Sequence, residues 1–555
     1  MAPLKRGETY VVDDKEKANI LNNQYCSVFS EPHKDTPQIN SPQAESTIED
    51  IVIQQIGVLN LLNKLDPSKA TGPDKISARF LKEFSSEIAP ALTLFFGNSL
   101  SQGDLPSEWR HAFIVPVYKG NNKERSSPES YRPVSLTSVC CKVMEHIIYS
   151  SIMKHLNDNN ILSDEQHGFR NNRFCESQLL ITINDFATRL NDKEQIDTIL
   201  LDFSKAFDKV NHYKLGLKLS HYGIKGNCLK WILSFLNGRT QQVVLNGTFS
   251  NPADVISGVP QGTVLGPLLF LLYINDMPAF LKSCLRLFAD DAYLYRCIKS
   301  LLDMYYLQDD LNQLQTWERN WDMEFHPQKC KLLSITNKTK PVATTYTIHD
   351  EALKSVETAK YLGVTLHKKL KWNKHVSNIC SKAHQRRSFL QRNLRGCSKR
   401  IKIMTYKTYV LPIIMYASSV WDPTGPSNNG LRLKLESVQR KAARFVYNNW
   451  SWEASPTTMM KELKWRPTEL LRKISSLVML HKIINKNIDI PKTMLPKRSR
   501  DGLKFQQTFG RILAYSNSFV PMVTKWWNEL PLSIISLNNE LEFKSKITEH
   551  FKVAN

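Results

Sequence analysis

The 555-residue sequence lacks several patterns that would place it in common protein classes. Its ten cysteines show neither the spacing of a zinc site nor a paired disulfide framework, which favours a reducing compartment. The amino terminus has no apolar signal-peptide core, and the longest apolar runs are too short or too interrupted by proline to span a bilayer. Internal repeats and low-complexity blocks are also absent. These absences argue against a secreted, disulfide-stabilised or membrane-spanning protein.

Basic residues outnumber acidic residues by a wide margin. Lys and Arg total 74 against 52 Asp and Glu, which gives a formal net charge of +22 and an isoelectric point near 9.4. A hydrophobic content of 42% excludes wholesale disorder, and the length predicts roughly three or four domain-sized units. The charge excess favours a polyanionic partner, and without a membrane segment nucleic acid is the leading candidate. The plain alternative is a basic surface that serves solubility.

Acidic residues are missing altogether from residues 361–410. The window holds 13 basic residues: Lys368, Lys369, Lys371, Lys374, Lys382, Arg386, Arg387, Arg392, Arg395, Lys399, Arg400, Lys402 and Lys407. Its apolar residues at helical spacing are Val376, Ile379, Ala383, Leu390 and Leu394. This pattern predicts helices with one packed side and one basic side. We expect the basic side to contact phosphates rather than bases, the alternative being a solvated helix face.

Periodicity predicts a mixed architecture. A short N-terminal helix and a polar linker at 31–48 precede helices over residues 50–103. The segments FIVPVYKG and YRPVSL read as strands around a polar loop, and KLLSIT and YLGVTL read as further short strands. Hairpins are expected around Asn246-Gly247 and Asp290-Asp291. From about residue 374 onward the pattern is mostly helical, so we predict an α+β core with an all-α C-terminal extension.

Three aspartates interrupt apolar, strand-like segments. Asp202 lies in LLDFSKAFDKV, and Asp290 and Asp291 lie in RLFADDAYLY. A buried carboxylate is costly unless it is paired or holds a metal, and a cation relieves the repulsion between adjacent acids. Three oxygens from neighbouring strands suit Mg²⁺, and two such ions about 4 Å apart could promote an in-line displacement at phosphorus. An isolated Asp-Asp pair is more often a solvated turn, and the apolar context argues against that interpretation.

A series of segments occurs in the order of the reverse transcriptase motifs. The segments are IVPVYKG…SYRPVSL, HGFR, LDFSKAFDKV, SGVPQGTVLGPLLF, FADDAYLY, HPQKCKLL and KYLGVTL. Together they resemble the polymerases of non-long-terminal-repeat retrotransposons, and their sequences are most similar to those of jockey-like elements. The likeness is dense from about residue 55 to residue 370. It implies a right-hand polymerase fold with fingers, palm and thumb.

The resemblance assigns a set of metal ligands. Asp202 matches the first metal-binding aspartate, with the Phe203 carbonyl as an additional ligand, and Asp290 and Asp291 match the aspartate pair. These groups would bind two Mg²⁺ ions, with Mn²⁺ as a substitute. Asp208 lies six residues after Asp202, where a strand turns into a helix and the side chain need not point the same way. We therefore leave Asp208 out of the ligand set.

The resemblance also assigns a nucleotide-binding site. Phe207 matches the steric gate, whose ring would clash with a 2′-OH, although a core phenylalanine is the alternative. Gln261 and Gly262 match the loop that lies against the incoming nucleotide and the template base. Lys119 and Arg132 would contact the triphosphate, which requires cationic donors.

Further motif positions carry assignments of lower specificity. Lys329 resembles the lysine that protonates the pyrophosphate leaving group, and Lys331 competes for that role. Arg170 in HGFR resembles a template-contacting position. The YLG segment at 361–363 resembles the primer grip. No mechanism is apparent for the region beyond residue 410.

The resemblance implies an RNA-directed DNA polymerase of a mobile element. Its partners would be an RNA template, an RNA–DNA or DNA primer duplex, dNTPs and an element-encoded RNA-binding protein, with no membrane. We expect an intracellular location, in a cytoplasmic ribonucleoprotein and in the nucleus. The alternatives are a catalytically inactive nucleic-acid-binding remnant and a group II intron-type maturase. An endonuclease domain, which full-length relatives usually carry before the polymerase, is expected to be absent.

These patterns predict a division of the chain into overlapping regions. The regions are an N-terminal helix and linker (1–49), an N-terminal extension with fingers (50–195), a reverse transcriptase domain of fingers and palm (98–366), a basic thumb (361–410) and a helical C-terminal region (411–555).

Overall fold

Strands and helices alternate through the chain as far as residue 367, and helices follow. The structure is a computed structural model that describes every residue except 32, 40, 49, 121, 122, 500, 501, 554 and 555. Its strands are β1 (Leu4–Arg6), β2 (Thr9–Val11), β3 (His111–Tyr118), β4 (Tyr131–Leu136), β5 (Gln195–Asp202), β6 (Arg239–Leu245), β7 (Thr248–Phe249), β8 (Ala253–Val255), β9 (Cys284–Phe288), β10 (Asp291–Ile298), β11 (Lys331–Ile335), β12 (Thr347–Ile348), β13 (Glu351–Ala352), β14 (Lys354–Ser355), β15 (Thr358–Tyr361) and β16 (Val364–His367).

The helices vary from one turn to nearly six turns in length. They are α1 (Asp14–Cys26), α2 (Gln55–Asn63), α3 (Ala78–Glu83), α4 (Ser85–Gln102), α5 (Val139–Asp158), α6 (Cys175–Asn191), α7 (His212–His221), α8 (Gly226–Leu236), α9 (Leu265–Ile274), α10 (Leu301–Asn320), α11 (Asn373–Asn393), α12 (Lys399–Tyr409), α13 (Leu411–Met415), α14 (Ser418–Trp421), α15 (Asn429–Tyr447), α16 (Pro456–Glu462), α17 (Thr468–Ile484), α18 (Leu513–Ser516), α19 (Phe519–Asn528), α20 (Leu532–Ile535) and α21 (Glu540–Val553).

The chain divides into two units, each built from separate stretches of sequence. Unit 1 comprises Met1–Phe169, Asp202–Lys282 and Asp309–His326, and unit 2 comprises Arg170–Leu201, Ser283–Gln308 and Pro327–Asn555. The mixed helix and sheet content agrees with the predicted α+β class. No helix in the described part of the chain is long and apolar enough to cross a lipid bilayer.

A five-stranded sheet organises unit 1. Its strand order is β4-β3-β6-β7, and β8 pairs with residues 239–241 of β6. Strands β3 and β4 form an antiparallel hairpin in which Val117 lies opposite Arg132, as the two apolar segments around a polar loop predicted. Helix α1 packs on this sheet through Ala18, Leu21 and Tyr25, so the N-terminal segment is part of the unit 1 core.

The second sheet has the strand order β14-β11-β5-β10-β9. Strands β9 and β10 form the hairpin predicted around the paired acids, with Phe288 opposite Asp291. Strand β5 is buried along most of its length, as its continuous apolar run indicated, and pairs antiparallel with β11. The order places β5 directly beside β10.

Two local predictions need correction. YLGVTL is not a single strand, because Leu362 and Gly363 take positive φ angles of 40° and 85° and turn the chain between β15 and β16. The polar stretch 31–48 has no helix or strand among its described residues, but it is not a loose linker. Its backbone donates hydrogen bonds from Ala44 to His221 and from Ile48 to Gly223. The sequence also gave no sign of the β1–β2 hairpin.

Candidate active site

The three candidate metal-binding aspartates lie at the ends of neighbouring strands. Asp202 is the last residue of β5, Asp290 lies in the β9–β10 turn, and Asp291 is the first residue of β10. Ala289, with φ of +53°, reverses the chain before the paired acids. Asp202 is half-buried, whereas Asp290 and Asp291 are exposed. The expectation of buried carboxylates is therefore wrong for the pair, because the turn carries both residues out of the apolar strands.

The Phe203 carbonyl, the fourth proposed metal ligand, lies in a segment whose backbone is hydrogen-bonded on both sides. The His326 amide donates to the Asp202 carbonyl at 2.8 Å, and the Ser204 amide donates to the Glu324 carbonyl at 2.7 Å. Neither bond uses the Phe203 carbonyl. The Phe203 ring is buried and stacks on Phe325 with centroids 4.5 Å apart, so only its backbone is suited to bind a ligand.

Carboxylate and carbonyl oxygens are the donors that Mg²⁺ prefers, so the chemistry of this set fits the metal. Within the described residues, however, no group of three or more His, Cys, Asp or Glu side chains is gathered to hold an ion.

The loop at residues 257–264 is hydrogen-bonded to the turn that follows β5. The Gly258 amide donates to the Val210 carbonyl and the Val259 amide to the Phe207 carbonyl, both at 2.8 Å. Gly258 has φ of +88°, and a Cβ there would lie 2.8 Å from the Asp208 Cα, so the close approach requires glycine. The two segments that resemble polymerase motifs are therefore fixed to each other through their backbones.

Gln261 and Gly262 contact strand β4 on the other side of this loop. The Ser135 amide donates to the Gln261 carbonyl at 2.7 Å. Gly262 has φ of +111°, and a Cβ would lie 2.8 Å from the Ser135 carbonyl oxygen. The structure therefore brings Gln261 and Gly262 against the same hairpin that carries Arg132.

Asp208 holds the side chain of Gln261, a role that the sequence did not indicate. The Gln261 Nε2 donates to the Asp208 Oδ1 at 3.1 Å. Burial raises the pKa of Asp208, and Lys205, the Gln261 hydrogen bond and Lys119 offset part of that rise. Ser257 Oγ also donates to the Asp208 carbonyl at 2.8 Å. Asp208 thus orients the loop at residues 257–264.

Glu145 is a second residue that sequence reasoning missed. Its Oε2 accepts hydrogen bonds from the amides of Val264, at 2.7 Å, and Leu265, at 3.0 Å, at the start of α9. Burial raises the pKa of Glu145, and these two backbone hydrogen bonds oppose the rise. The only available signal was one acid inside the apolar helical segment CCKVMEHII.

Phe207 is half-buried and stacks on the buried ring of Phe270, with centroids 4.4 Å apart and planes inclined by 22°. Its carbonyl is held by the loop at residues 257–264. The ring therefore combines a packed face with an accessible part.

Lys119 lies among charged side chains of unit 1. Its Nζ donates to the Glu129 carbonyl at 2.6 Å. Burial lowers the pKa of Lys119 to about 8, with Lys205, Lys123 and Arg132 adding to the fall and Asp208 opposing it. Arg132 is exposed on β4. The predicted pair of cations is thus brought together, and Lys205 is an unpredicted third member.

A small pocket of about 40 Å³ is lined in part by this loop. Tyr25, Asp208, Arg239 and Gln261 are among the residues that line it. The Tyr25 hydroxyl and the Arg239 Nη2 are buried with no hydrogen-bond partner among the described residues. The volume suits one or a few water molecules, which would bridge α1 to the loop.

The remaining predicted positions lie in unit 2. Lys329 and Lys331 are both exposed where β11 begins, and Arg170 is half-buried. Tyr361 is a core residue, because its ring packs 4.4 Å from Tyr293 and its hydroxyl accepts from Gln178. Of the YLG segment, only the turn at Leu362 and Gly363 is accessible.

Helices α11 and α12 carry nine of the 13 basic residues of the window predicted from the sequence, and Lys368, Lys369, Lys371 and Arg395 lie outside the two helices. All of its basic side chains are exposed except Lys368, Arg387 and Lys402. Val376, Ile379, Ala383 and Leu390 are buried, as their spacing predicted, and Leu394 is half-buried. Among the described residues, Lys368 has an acidic partner, Glu357 at 2.5 Å.

Comparison with known proteins agrees with these motifs. Residues 119–366 match the family described as "Reverse transcriptase (RNA-dependent DNA polymerase)". The chain is 29% identical over 418 residues to the probable RNA-directed DNA polymerase from transposon X-element of Drosophila melanogaster, covering 73% of this chain and 45% of the relative.

Two further relatives show similar coverage. Identity to the RNA-directed DNA polymerase from mobile element jockey of Drosophila funebris is 30% over 401 residues, covering 69% of this chain and 43% of the relative. For the probable RNA-directed DNA polymerase from transposon BS of Drosophila melanogaster, identity is 28% over 487 residues, with coverages of 82% and 52%. The chain spans about half the length of the curated relatives that it matches.

Proposed function

We propose that this chain, whose residues 119–366 form a reverse transcriptase domain homologous to those of jockey-like elements, is an RNA-directed DNA polymerase. The observation that carries the proposal is the position of three aspartates at the ends of neighbouring strands inside that domain. The substrates would be an RNA template, a primer in an RNA–DNA or DNA duplex, and dNTPs. An element-encoded RNA-binding protein would be a further partner, and the setting would be intracellular.

The right-hand polymerase regions can be proposed on the observed elements. Residues 50–195, including the β3–β4 hairpin, would contribute the N-terminal extension and fingers, and the sheet containing β5 and β10 would form the palm. Residues 361–410 would form the thumb, whose exposed cations would contact the backbone of a template–primer duplex. These assignments rest on the resemblance together with the strand order and the position of the charge.

Asp202, Asp290, Asp291 and the Phe203 carbonyl would hold two Mg²⁺ ions, or Mn²⁺ as a substitute. Bound there, the ions would activate a primer 3′-hydroxyl and neutralise charge on the phosphates. Asp290 and Asp291 are exposed at the β9–β10 turn, and Asp202 is the last residue of β5.

The nucleotide would bind between the cations and the loop at residues 257–264. Lys119 and Arg132 would bind the triphosphate, since phosphate oxygens favour cationic donors. Gln261, oriented by Asp208, would lie against the nucleotide with Gly262. The accessible part of Phe207 would contact the sugar and exclude a 2′-OH. Lys329 would protonate the leaving pyrophosphate.

Primer extension tests this proposal. Full-length protein should extend an oligo(dT) primer on poly(rA) with dTTP and Mg²⁺. Asp290→Ala removes a proposed ligand at an exposed turn, so we expect extension to fall by about 10³-fold or more while the fold persists. Affinity for the template–primer should change little, as measured by fluorescence anisotropy.

Lys225→Ala, an exposed change outside the proposed site, is the matched control and should retain full activity. If wild-type protein binds the template–primer but incorporates nothing with either Mg²⁺ or Mn²⁺, the nucleic-acid-binding remnant becomes the correct interpretation. Equal activity of Asp290→Ala and wild type would contradict the ligand assignment.

A further inference from the structure

A surface loop in unit 2 exposes two tryptophans. It comprises residues 448–455, between α15 and α16, and we name it the aromatic loop. Trp452 is 89% exposed and Trp450 is 42% exposed. Single exposed apolar residues are common on proteins, whereas neighbouring large rings more often mark a contact site. The shape and charge of the surroundings decide which partner such a site would bind.

The aromatic loop is held in a defined shape by Arg444, near the end of α15. Its Nη1 donates to the Ser451 carbonyl at 2.6 Å, and its Nη2 donates to the Ala454 carbonyl at 2.8 Å. The Ser451 amide also donates to the Asn449 Oδ1 at 3.0 Å. Because the loop is fixed before any partner arrives, binding would cost little ordering entropy.

Cations from the acid-free window lie against the aromatic residues at this end of α15. The Arg387 guanidinium carbon is 5.3 Å from the Trp450 ring centroid, and the Lys399 Nζ is 3.9 Å from the Tyr447 ring centroid. Lys399 is exposed whereas Arg387 is buried, so Lys399 is the one of these two cations that a ligand on this surface could contact, and the loop itself also carries the exposed acid Glu453. Sites for single-stranded nucleic acid combine the same two features, namely flat rings for bases and cations for phosphates.

We propose that the aromatic loop binds unpaired nucleotides, with Trp452 stacking on a base and Lys399 contacting a neighbouring phosphate. A base inside a duplex has both faces covered by its neighbours, so a protruding indole selects single strands. The aromatic loop lies in the helical region beyond residue 410, Lys399 belongs to the basic window before it, and binding there does not depend on polymerase activity. It would hold single-stranded RNA or DNA without strong sequence preference.

Binding of a labelled oligouridylate to the full-length protein tests the proposal. Trp452→Ala should weaken binding by about 5- to 100-fold, and Trp452→Phe should retain part of the affinity. Because stacking involves no charge, Trp452→Ala should leave the slope of log affinity against log salt unchanged. Lys399→Ala should reduce that slope by about 0.7, the value for one lost phosphate contact on a single strand.

Controls separate stacking from general effects. Phe509→Ala removes a ring that is 88% exposed outside the loop, and it should not change the affinity. Thermal unfolding of Trp452→Ala should match wild type, because the side chain is on the surface. Binding of a blunt-ended RNA duplex, which has no unpaired nucleotides, should be nearly the same in both proteins.

The proposal is overturned if Trp452→Ala binds oligouridylate as tightly as wild type, or if paired and unpaired RNA lose affinity equally. Loss of self-association in Trp452→Ala with unchanged RNA affinity would instead identify a protein contact. Primer extension measured on the same samples keeps a failure of the polymerase proposal distinguishable, since oligouridylate binding requires no catalysis.

Discussion

The environment of Lys119 leads to a pH-dependent prediction at the scale of single residues. Burial and the neighbouring cations lower its pKa to about 8, so Lys119 loses its positive charge as the pH rises through that value. A triphosphate requires the charged form. We therefore expect the KM for dTTP to rise above about pH 8 in the wild-type protein, as measured by steady-state primer extension.

Lys119→Arg provides the matched variant for that measurement. A guanidinium keeps its charge throughout the accessible pH range, so the rise in KM should flatten. A wild-type KM that stays constant between about pH 7 and 9 would show that Lys119 does not bind the triphosphate.

Phe207 carries a prediction about sugar selectivity. Phe207→Ala removes the ring that would clash with a 2′-OH, so incorporation of UTP relative to dTTP should increase. Phe207→Tyr keeps the ring and its stacking on Phe270, and it should preserve the wild-type ratio. An unchanged ratio in Phe207→Ala, in protein that remains folded, would reject the gate assignment.

The residues of the candidate site that lie inside recognisable motifs could be predicted from the sequence. The motifs identified Gln261 and Gly262, which the structure places together against β4. They missed Asp208 and Glu145 as supporting residues, because their partners are 53 and 119 or more positions away in the chain. Such contacts depend on the packing of whole elements and leave no local pattern.

At the scale of elements, the start of α9 is fixed by a buried side chain. Val264 and Leu265 donate their amides to Glu145, which satisfies groups that a helix start leaves unpaired. Glu145→Ala should lower the free energy of unfolding by about 2–4 kcal/mol, since it leaves two buried donors unpaired. Denaturant unfolding measures this change.

Glu108→Ala, at an exposed position, is the control and should change stability by less than about 0.5 kcal/mol. If Glu145→Ala and Glu108→Ala unfold at the same denaturant concentration, the two hydrogen bonds do not stabilise α9.

Elements with strong periodicity were predictable, and short irregular ones were not. The β3–β4 and β9–β10 hairpins and the buried strand β5 were predicted and are confirmed. The three-residue strands β1 and β2 are too short to show alternation. The β15–β16 turn was not predicted because Leu362 occupies a turn position, and leucine rarely adopts a positive φ.

At the scale of the whole molecule, periodicity predicted the mixed fold, and the distribution of Lys and Arg along the chain located the positive charge. Neither predicted that each unit is assembled from three separate stretches of the chain. Residues 170–201 illustrate the reason, since they lie in unit 2 while the segments before and after them lie in unit 1. Sheet pairing between distant strands sets that division, and single-sequence periodicity does not report it.

Sequencing of the reaction product shows whether this chain copies RNA into DNA. Full-length protein is given a primer annealed to an RNA of mixed sequence, all four dNTPs and Mg²⁺. We expect DNA complementary to the RNA from wild-type protein and none from Asp290→Ala. Product that does not follow the template, or equal product from both proteins, would contradict this expectation.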